Sequence, residues 1–241
     1  MASAHYRLES AVEEEFPRKL EEAFGRALDA VVIYGSYVQG SFGPGVSDVN
    51  VLVLLSEPDP KAMSRLSKSA GRLMRRHRIT PLILSSAEFA RSADVFPMEY
   101  LDIAARHRVL RGSDPTAELE IDKRNLRHQI EHQLRGNLIS LRQLVLAARG
   151  RKRLLGREIK RWWGPVGAIF RGLLRLLEAD EVPTEPRALV TTMNDVLGLE
   201  SGPFLELLSY RNGEKADPEK LAAGLLSRLA ELVRTVDDME R

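Results

Sequence analysis

The sequence predicts an α+β protein: a small mixed β-sheet domain over residues 1–112, followed by an all-α helical bundle over 118–241. Three observations carry that expectation. Helix-like and strand-like apolar periodicities alternate through the first 112 residues. A turn cluster, Gly112-Ser113-Asp114-Pro115, ends the alternation. Beyond it, apolar residues recur at helical spacing and no β-rich run stands out.

The elements follow in order. Leu8, Val12, Phe16, Leu20, Ala23 and Phe24 give a helix over Glu9–Ala27. Asp29–Tyr34 (DAVVIY) is a short β-rich run stopped by Gly35, and a loop bearing Gly40, Gly43, Pro44 and Gly45 comes next. Val49–Leu55 (VNVLVLL) is a second strand, closed by Pro58 and Pro60. Lys61–His77 is helical, with Met63, Leu66, Ala70, Leu73 and Met74 on one stripe. Ile79–Leu84 is a third strand, placed at an edge because Pro81 has no N–H to give to a ladder. Leu126, Ile130, Leu134, Leu138, Leu141, Val145 and Ala148 then step by three or four along a long amphipathic helix. Further helical stretches cover about 152–178, 185–198, 202–212 and 217–239.

Composition narrows the classes. Apolar residues make up 44% and charged residues 29%, the balance of a chain that buries a core. With no Cys, a disulfide scaffold, a Cys-ligated metal and a thiol nucleophile are excluded. The longest strongly apolar run, Val51–Leu55, is far short of the ~20 residues that span a bilayer. Glu13, Glu14 and Glu15 stand where an export signal would be apolar, so a soluble, cytoplasmic protein with no membrane partner is expected. Net charge is only +2, yet residues 149–161 (RGRKRLLGREIKR) hold seven basic residues and one acidic. Running into Trp162 and Trp163, that block is a possible nucleic-acid surface through phosphate contact and stacking, or else a solvated helix start with both tryptophans in the bundle.

The chemistry concentrates in Tyr34–Leu52, YGSYVQGSFGPGVSDVNVL. Gly35-Ser36 ends a strand and is expected to open a short helix. Backbone N–H groups there can receive a phosphate, and the Ser36 hydroxyl can add a contact. Ser47-Asp48-Val49-Asn50 opens the second strand, and alternation turns positions 48 and 50 the same way. Two oxygen ligands opposite a phosphate cradle suit Mg²⁺.

Gly35-Ser36, the glycine-bearing loop and Ser47-Asp48-Val49-Asn50 resemble the GS…SDxD signature of the nucleotidyltransferase superfamily, over about residues 10–112. Ala93–Leu110 is similar to a stretch of a bacterial subgroup with a helical C-terminal domain. The resemblance implies transfer of a nucleoside monophosphate from a nucleoside triphosphate (NTP) to an acceptor hydroxyl, on metal ions held by three carboxylates. Asp48 matches the first carboxylate. Asn50 stands at the second, a neutral amide. The third would lie on Ile79–Leu84, where Thr80 is the nearest polar residue and no Asp or Glu occurs.

One of three carboxylates therefore remains. Two divalent cations ~3.5–4 Å apart need bridging carboxylates to offset their repulsion. Asp48 and Asn50 suffice at most for a single Mg²⁺ beside nucleotide phosphates. Glu99 and Asp102, three apart, share a helix face and are substitutes to consider, against the alternative of a solvated surface. Glu88 and Asp94 read as helix-start residues. His128 and His132 on the long helix have no third ligand in view and read as solvated positions. The site residues are thus Gly35 and Ser36 for nucleotide and Asp48 and Asn50 for metal and chemistry. NTP is the expected ligand, with an unknown acceptor if transfer occurs. The alternative is a catalytically degenerate member acting as a nucleotide sensor or an interaction or antitoxin-like module. The sequence leaves that choice open.

Overall fold

Four strands form one mixed sheet in the order β3-β2-β1-β4. They are β1 (Leu28–Tyr34), β2 (Val49–Leu55), β3 (Ile79–Ser85) and β4 (His107–Gly112). The computed structural model describes residues 8–38 and 48–239. Gly40, Gly43, Pro44, Gly45 and Ser47 lie outside the described residues. The chain divides into two compact units, Met1–Ile121 and Asp122–Arg241.

β1 is antiparallel to β2 and β4, and β2 is parallel to β3. β1 and β2 are the central strands, buried on both faces, which is why they read as near-continuous apolar runs. On one face Val31, Ile33, Val51 and Val53 pack with Phe16 and Leu20 of α1 (Phe16–Phe24) and Leu66 of α2 (Pro60–His77). On the other face Ala30, Val32, Leu52 and Leu54 pack with Phe89 of α3 (Ser86–Arg91) and Tyr100 and Ile103 of α4 (Pro97–Ala105). The unit is thus helix, sheet, helix in three layers.

Local signals place the helix ends. Asp59 accepts from the N–H groups of Lys61 and Ala62 ahead of Pro60, starting α2. Ser85 and Glu88 form a reciprocal capping box on α3. α2 ends at Arg78, a non-glycine residue in the left-handed region with φ 54°.

The observed elements depart from expectation at three places. β4 is a strand that the sequence reading did not include; HRVLRG is half basic and borders water at a sheet edge. Gly112 closes β4 with φ +77°, where a Cβ would stand 1.9 Å from the Asp29 carbonyl oxygen. The first helix ends at Phe24 and contains a π-helical turn, Ala11–Glu15, close to its start. The stretch at 152–178 is two helices, α6 (Lys152–Ile159) and α7 (Trp163–Leu176), because the chain leaves regular helix between Ile159 and Trp163.

Helices are the only regular elements among the described residues of the second unit. α5 (Lys123–Ala148) buries Leu126, Ile130, Leu134, Leu138 and Leu141 along the stripe that their spacing predicts. It packs on α7 and on α10 (Pro218–Asp238), while α8 (Pro186–Leu197) and α9 (Gly202–Arg211) complete the bundle. Phe170 meets Trp163 and Phe204 edge-on, with ring centroids 6.4 and 4.9 Å away. No described helix is long and apolar enough to cross a membrane.

Candidate functional site

Strand register assembles the candidate site where β1 ends and β2 begins. Tyr34 pairs with Asn50 and with His107, and Asn50 pairs with Thr80. Directly opposed residues share a sheet face. Thr80, Asn50, Tyr34 and His107 therefore form one polar row across all four strands, continuing the face that carries Val32 and Leu52.

Gly35 begins immediately after Tyr34. Its φ is +78°, and a Cβ there would lie 3.1 Å from the Asn50 amide nitrogen. The left-handed backbone calls for glycine, and a side chain there would also crowd the Asn50 amide. The segment Gly35–Tyr37 is a single 3-10 turn. This replaces the expected short helix, and one turn carries almost none of the field of a helix N-terminus. Any phosphate held here would rest on individual N–H groups, the Ser36 hydroxyl and nearby side-chain charge.

Tyr37 anchors the turn. Its hydroxyl donates to Glu13 at 3.0 Å, and Arg108 of β4 binds the same carboxylate. Burial, and then the Glu13 hydrogen bond, hold the Tyr37 phenol well above its ordinary range. Tyr34 is raised as well, first by burial and then by the carboxylates of Asp102 and Glu99. Those two α4 acids thus lie within electrostatic reach of the row; Glu99 is exposed and Asp102 half-buried.

Asp48 precedes β2, and its carboxylate is engaged. Arg78 donates from Nε to Asp48 Oδ1 at 2.8 Å, and its Nη2 lies 2.8 Å from the same oxygen in an ion pair. The Arg78 carbonyl accepts the N–H of Val49 at 2.9 Å, fixing the backbones side by side. An open cleft of about 410 Å³ adjoins the pair, lined by Ser67, Arg75, Arg78, Asp48 and Thr80 among others. Its charged lining is one carboxylate and two guanidinium groups.

The donor set is a poor match for the two cations that the family resemblance implies. Among the described residues no three His, Asp or Glu side chains converge on a point. The three positions in question hold a carboxylate already paired with a guanidinium, an amide and a hydroxyl. Nothing there offsets the repulsion of two adjacent divalent ions.

The other candidates separate from this site. Glu88 belongs to the α3 capping box. His128 and His132 are exposed on α5. Much of the basic block is engaged within its own unit. Lys152 pairs with Asp217 and Glu219, and Arg157 and Arg161 both pair with Glu158. Lys160 lies 4.4 Å over the Tyr210 ring. Trp163 is buried, whereas Trp162 is half-exposed beside Arg161 and Pro165. The sequence reading missed Arg78, Tyr34, Tyr37 and His107. For Arg78 the one available signal is a cation directly at a helix-to-strand junction. His107 sets its Nε2 3.0 Å from Asp114 and buries Nδ1 with no hydrogen-bond partner.

A mixed sheet with a Gly-Ser turn, and Asp and Asn at the start of the neighbouring strand, defines a nucleotidyltransferase fold, and comparison with known proteins agrees. Residues 13–110 match the family model described as nucleotidyltransferase domain, and a helical C-terminal region follows. The chain is similar to the spectinomycin adenyltransferase AAD(9) of Enterococcus faecialis, solved with ATP and spectinomycin. Identity is 14%, coverage 93% of this chain and 99% of that one, and the TM-score 0.57. That likeness is one of fold. A toxin-antitoxin protein solved with AMP-PNP aligns at 20% identity over 42% of this chain and 74% of its own, with a TM-score of 0.30, too low to bear on fold. No curated protein matches the chain.

Proposed function

We propose that this protein binds a nucleoside triphosphate at the Gly35–Ser36 turn and the adjoining ends of β2 and β3, and acts as a nucleotide-responsive module without two-metal transfer. The observation that carries this is the fate of the three acidic positions. Asp48 is tied to Arg78, Asn50 is an amide packed over Gly35, and Thr80 stands where the third acid is expected. Nucleotide handling is supported by the nucleotidyltransferase domain at residues 13–110. The similar adenyltransferase was itself solved with ATP. Calorimetric titration with each of the four NTPs tests the proposal: saturable heat with a preferred base is expected. Absence of heat with all four overturns it.

One observation favours a second reading, transfer of a nucleoside monophosphate to an acceptor hydroxyl. Asp102 and Glu99 bear on Tyr34 and bring carboxylates near the same end of the sheet. Incubation with α-labelled NTP and candidate acceptors separates the two. Label in a product, lost in Asp102→Asn, supports transfer; the module reading predicts no product.

A further inference from the structure

Between Asp59 and Glu88 the sequence holds seven Lys or Arg residues and no Asp or Glu. Arg78 is committed to Asp48. The other six, Lys61, Arg65, Lys68, Arg72, Arg75 and Arg76, lie on α2 and are all exposed. At about 100° per residue they fall within one arc of roughly 100°, a stripe about 22 Å long. The opposite side of the helix carries Ala62, Leu66 and Ala70 into the core. Arg65 donates to the Ala23 carbonyl and sits 3.9 Å from Asp59. Among the described residues the other five have no carboxylate partner. Basic side chains elsewhere are matched: Lys19 by Glu22, Arg111 by Glu21, Arg135 by Glu131 and Asp237, Arg228 by Glu231. Like charges three and four residues apart repel one another and weaken a helix. The field of the helix C-terminus favours Arg75 and Arg76, but Lys61 stands in the first turn, where that field opposes it. The counter-charge of the stripe therefore comes from outside, as salt ions or as a polyanion that displaces them.

We propose that this face of α2 docks the sugar-phosphate backbone of a duplex nucleic acid, without reading its sequence. A duplex carries one phosphate per ~1.7 Å of its axis, so a straight row of six cations about 22 Å long meets more phosphates than it has charges. Four of the six are Arg, whose planar fork matches phosphate oxygens. Residues 60–88 contain no Trp, Tyr or Phe on which unpaired bases could stack, and no Asn or Gln to pair with adenine. The chemistry on offer is charge, and a duplex presents its phosphates already arrayed. A lipid surface fits less well. A helix that lies on a membrane buries its apolar face there, and the apolar face of α2 is packed on the sheet. Arg75 also lines the open cleft beside Asp48, so the stripe runs to that cleft. Docking of this kind needs no bound nucleotide and stands or falls separately from the nucleotide-site reading.

The test is fluorescence anisotropy of a labelled DNA duplex of about 20 base pairs, titrated with the full chain at about 50 mM salt and above. Saturable binding is expected, equal within about three-fold for a second duplex of unrelated sequence. Affinity should fall with salt on a log–log slope of about −4 to −5, corresponding to roughly five phosphate contacts. Lys68→Glu combined with Arg72→Glu, in the middle of the stripe, should weaken binding about a hundred-fold and flatten that slope by about two. Both positions are exposed, and the new acids face Arg65, Arg75 and Arg76 at helical spacing, so the helix should hold. Circular dichroism checks that it does; if it does not, Lys68→Gln with Arg72→Gln replaces the pair, with about a ten-fold loss expected. Arg153→Glu with Arg157→Glu makes the same charge change on the basic block of the second unit and should alter affinity by no more than about three-fold. Undiminished binding in the α2 variant, or an equal loss in the variant of the second unit, overturns the proposal. So does an absence of duplex binding at the lowest salt, whether or not phosphatidylserine vesicles are bound instead.

Discussion

Arg78 and Asp48 form a two-pronged ion pair across the β2–β3 junction, both prongs landing on a single carboxylate oxygen at 2.8 Å. The side chains remain 44% and 51% exposed, so solvent screens the attraction. The pair therefore adds little to what holds the fold together.

Asp48→Ala should therefore change folding stability by less than about 1 kcal/mol, as exposed ion pairs generally do. Urea denaturation with and without the substitution checks this. A loss of several kcal/mol would mean that the pair is a structural pin of the β2–β3 junction.

Gly35 and Asn50 make a second coupled pair. Gly35→Ala faces a left-handed backbone at φ +78° and a contact of 3.1 Å with the Asn50 amide. The backbone cost alone is about 1–2 kcal/mol. Removing the amide with Asn50→Ala relieves the crowding and leaves the backbone cost. In a double-mutant cycle, Gly35→Ala should be less damaging in the Asn50→Ala background by about 0.5 kcal/mol or more. An identical cost in both backgrounds would show that only the backbone matters.

How much of this was legible in the sequence depended on burial. β1 and β2 are covered on both faces, so DAVVIY and VNVLVLL announce themselves; Pro81 placed β3 at an edge, where it lies. β4 borders water and carries Arg108 and Arg111, which ion-pair with Glu13 and Glu21, so its pattern lacks the apolar signal. The break between α6 and α7 is marked only by Gly164-Pro165 just after it: Pro165 has no N–H to give the Arg161 carbonyl and so belongs in the first turn of a new helix. Asp48 and Asn50 were legible as a motif. The hold of Arg78 on Asp48 was not, since it spans thirty residues and exists only once a helix terminus and a strand register coincide.

The helical unit offers a test in its core. Phe170 is 1% exposed, wedged edge-on between Trp163 and Phe204. Phe170→Ala leaves both rings facing a void and should cost about 3–5 kcal/mol. Chemical denaturation followed by tryptophan fluorescence reports it directly, because Trp162 and Trp163 both lie in this unit. A loss below 1 kcal/mol would show that neighbouring rings close the gap.

Alkaline pH tests the anchoring of the Gly-Ser turn. Burial raises Tyr34, Tyr37 and Tyr100 above the ordinary phenol value of 10.0, and Glu13 adds to the effect on Tyr37. A raised phenol keeps its proton in the folded state after the unfolded chain has released it. Its contribution to stability is complete below pH 10 and declines as pH climbs from there toward the folded-state values. Ultraviolet titration of the folded protein should therefore show fewer than the five tyrosines ionising near pH 10, with the remainder appearing only as the chain unfolds. Tyr37→Phe should make the loss of stability above pH 10 less steep, because one of the retained protons is gone. Five phenols titrating together near pH 10 with the fold intact would mean that Tyr37 is open to water, and that the turn at Gly35 is not held by Glu13.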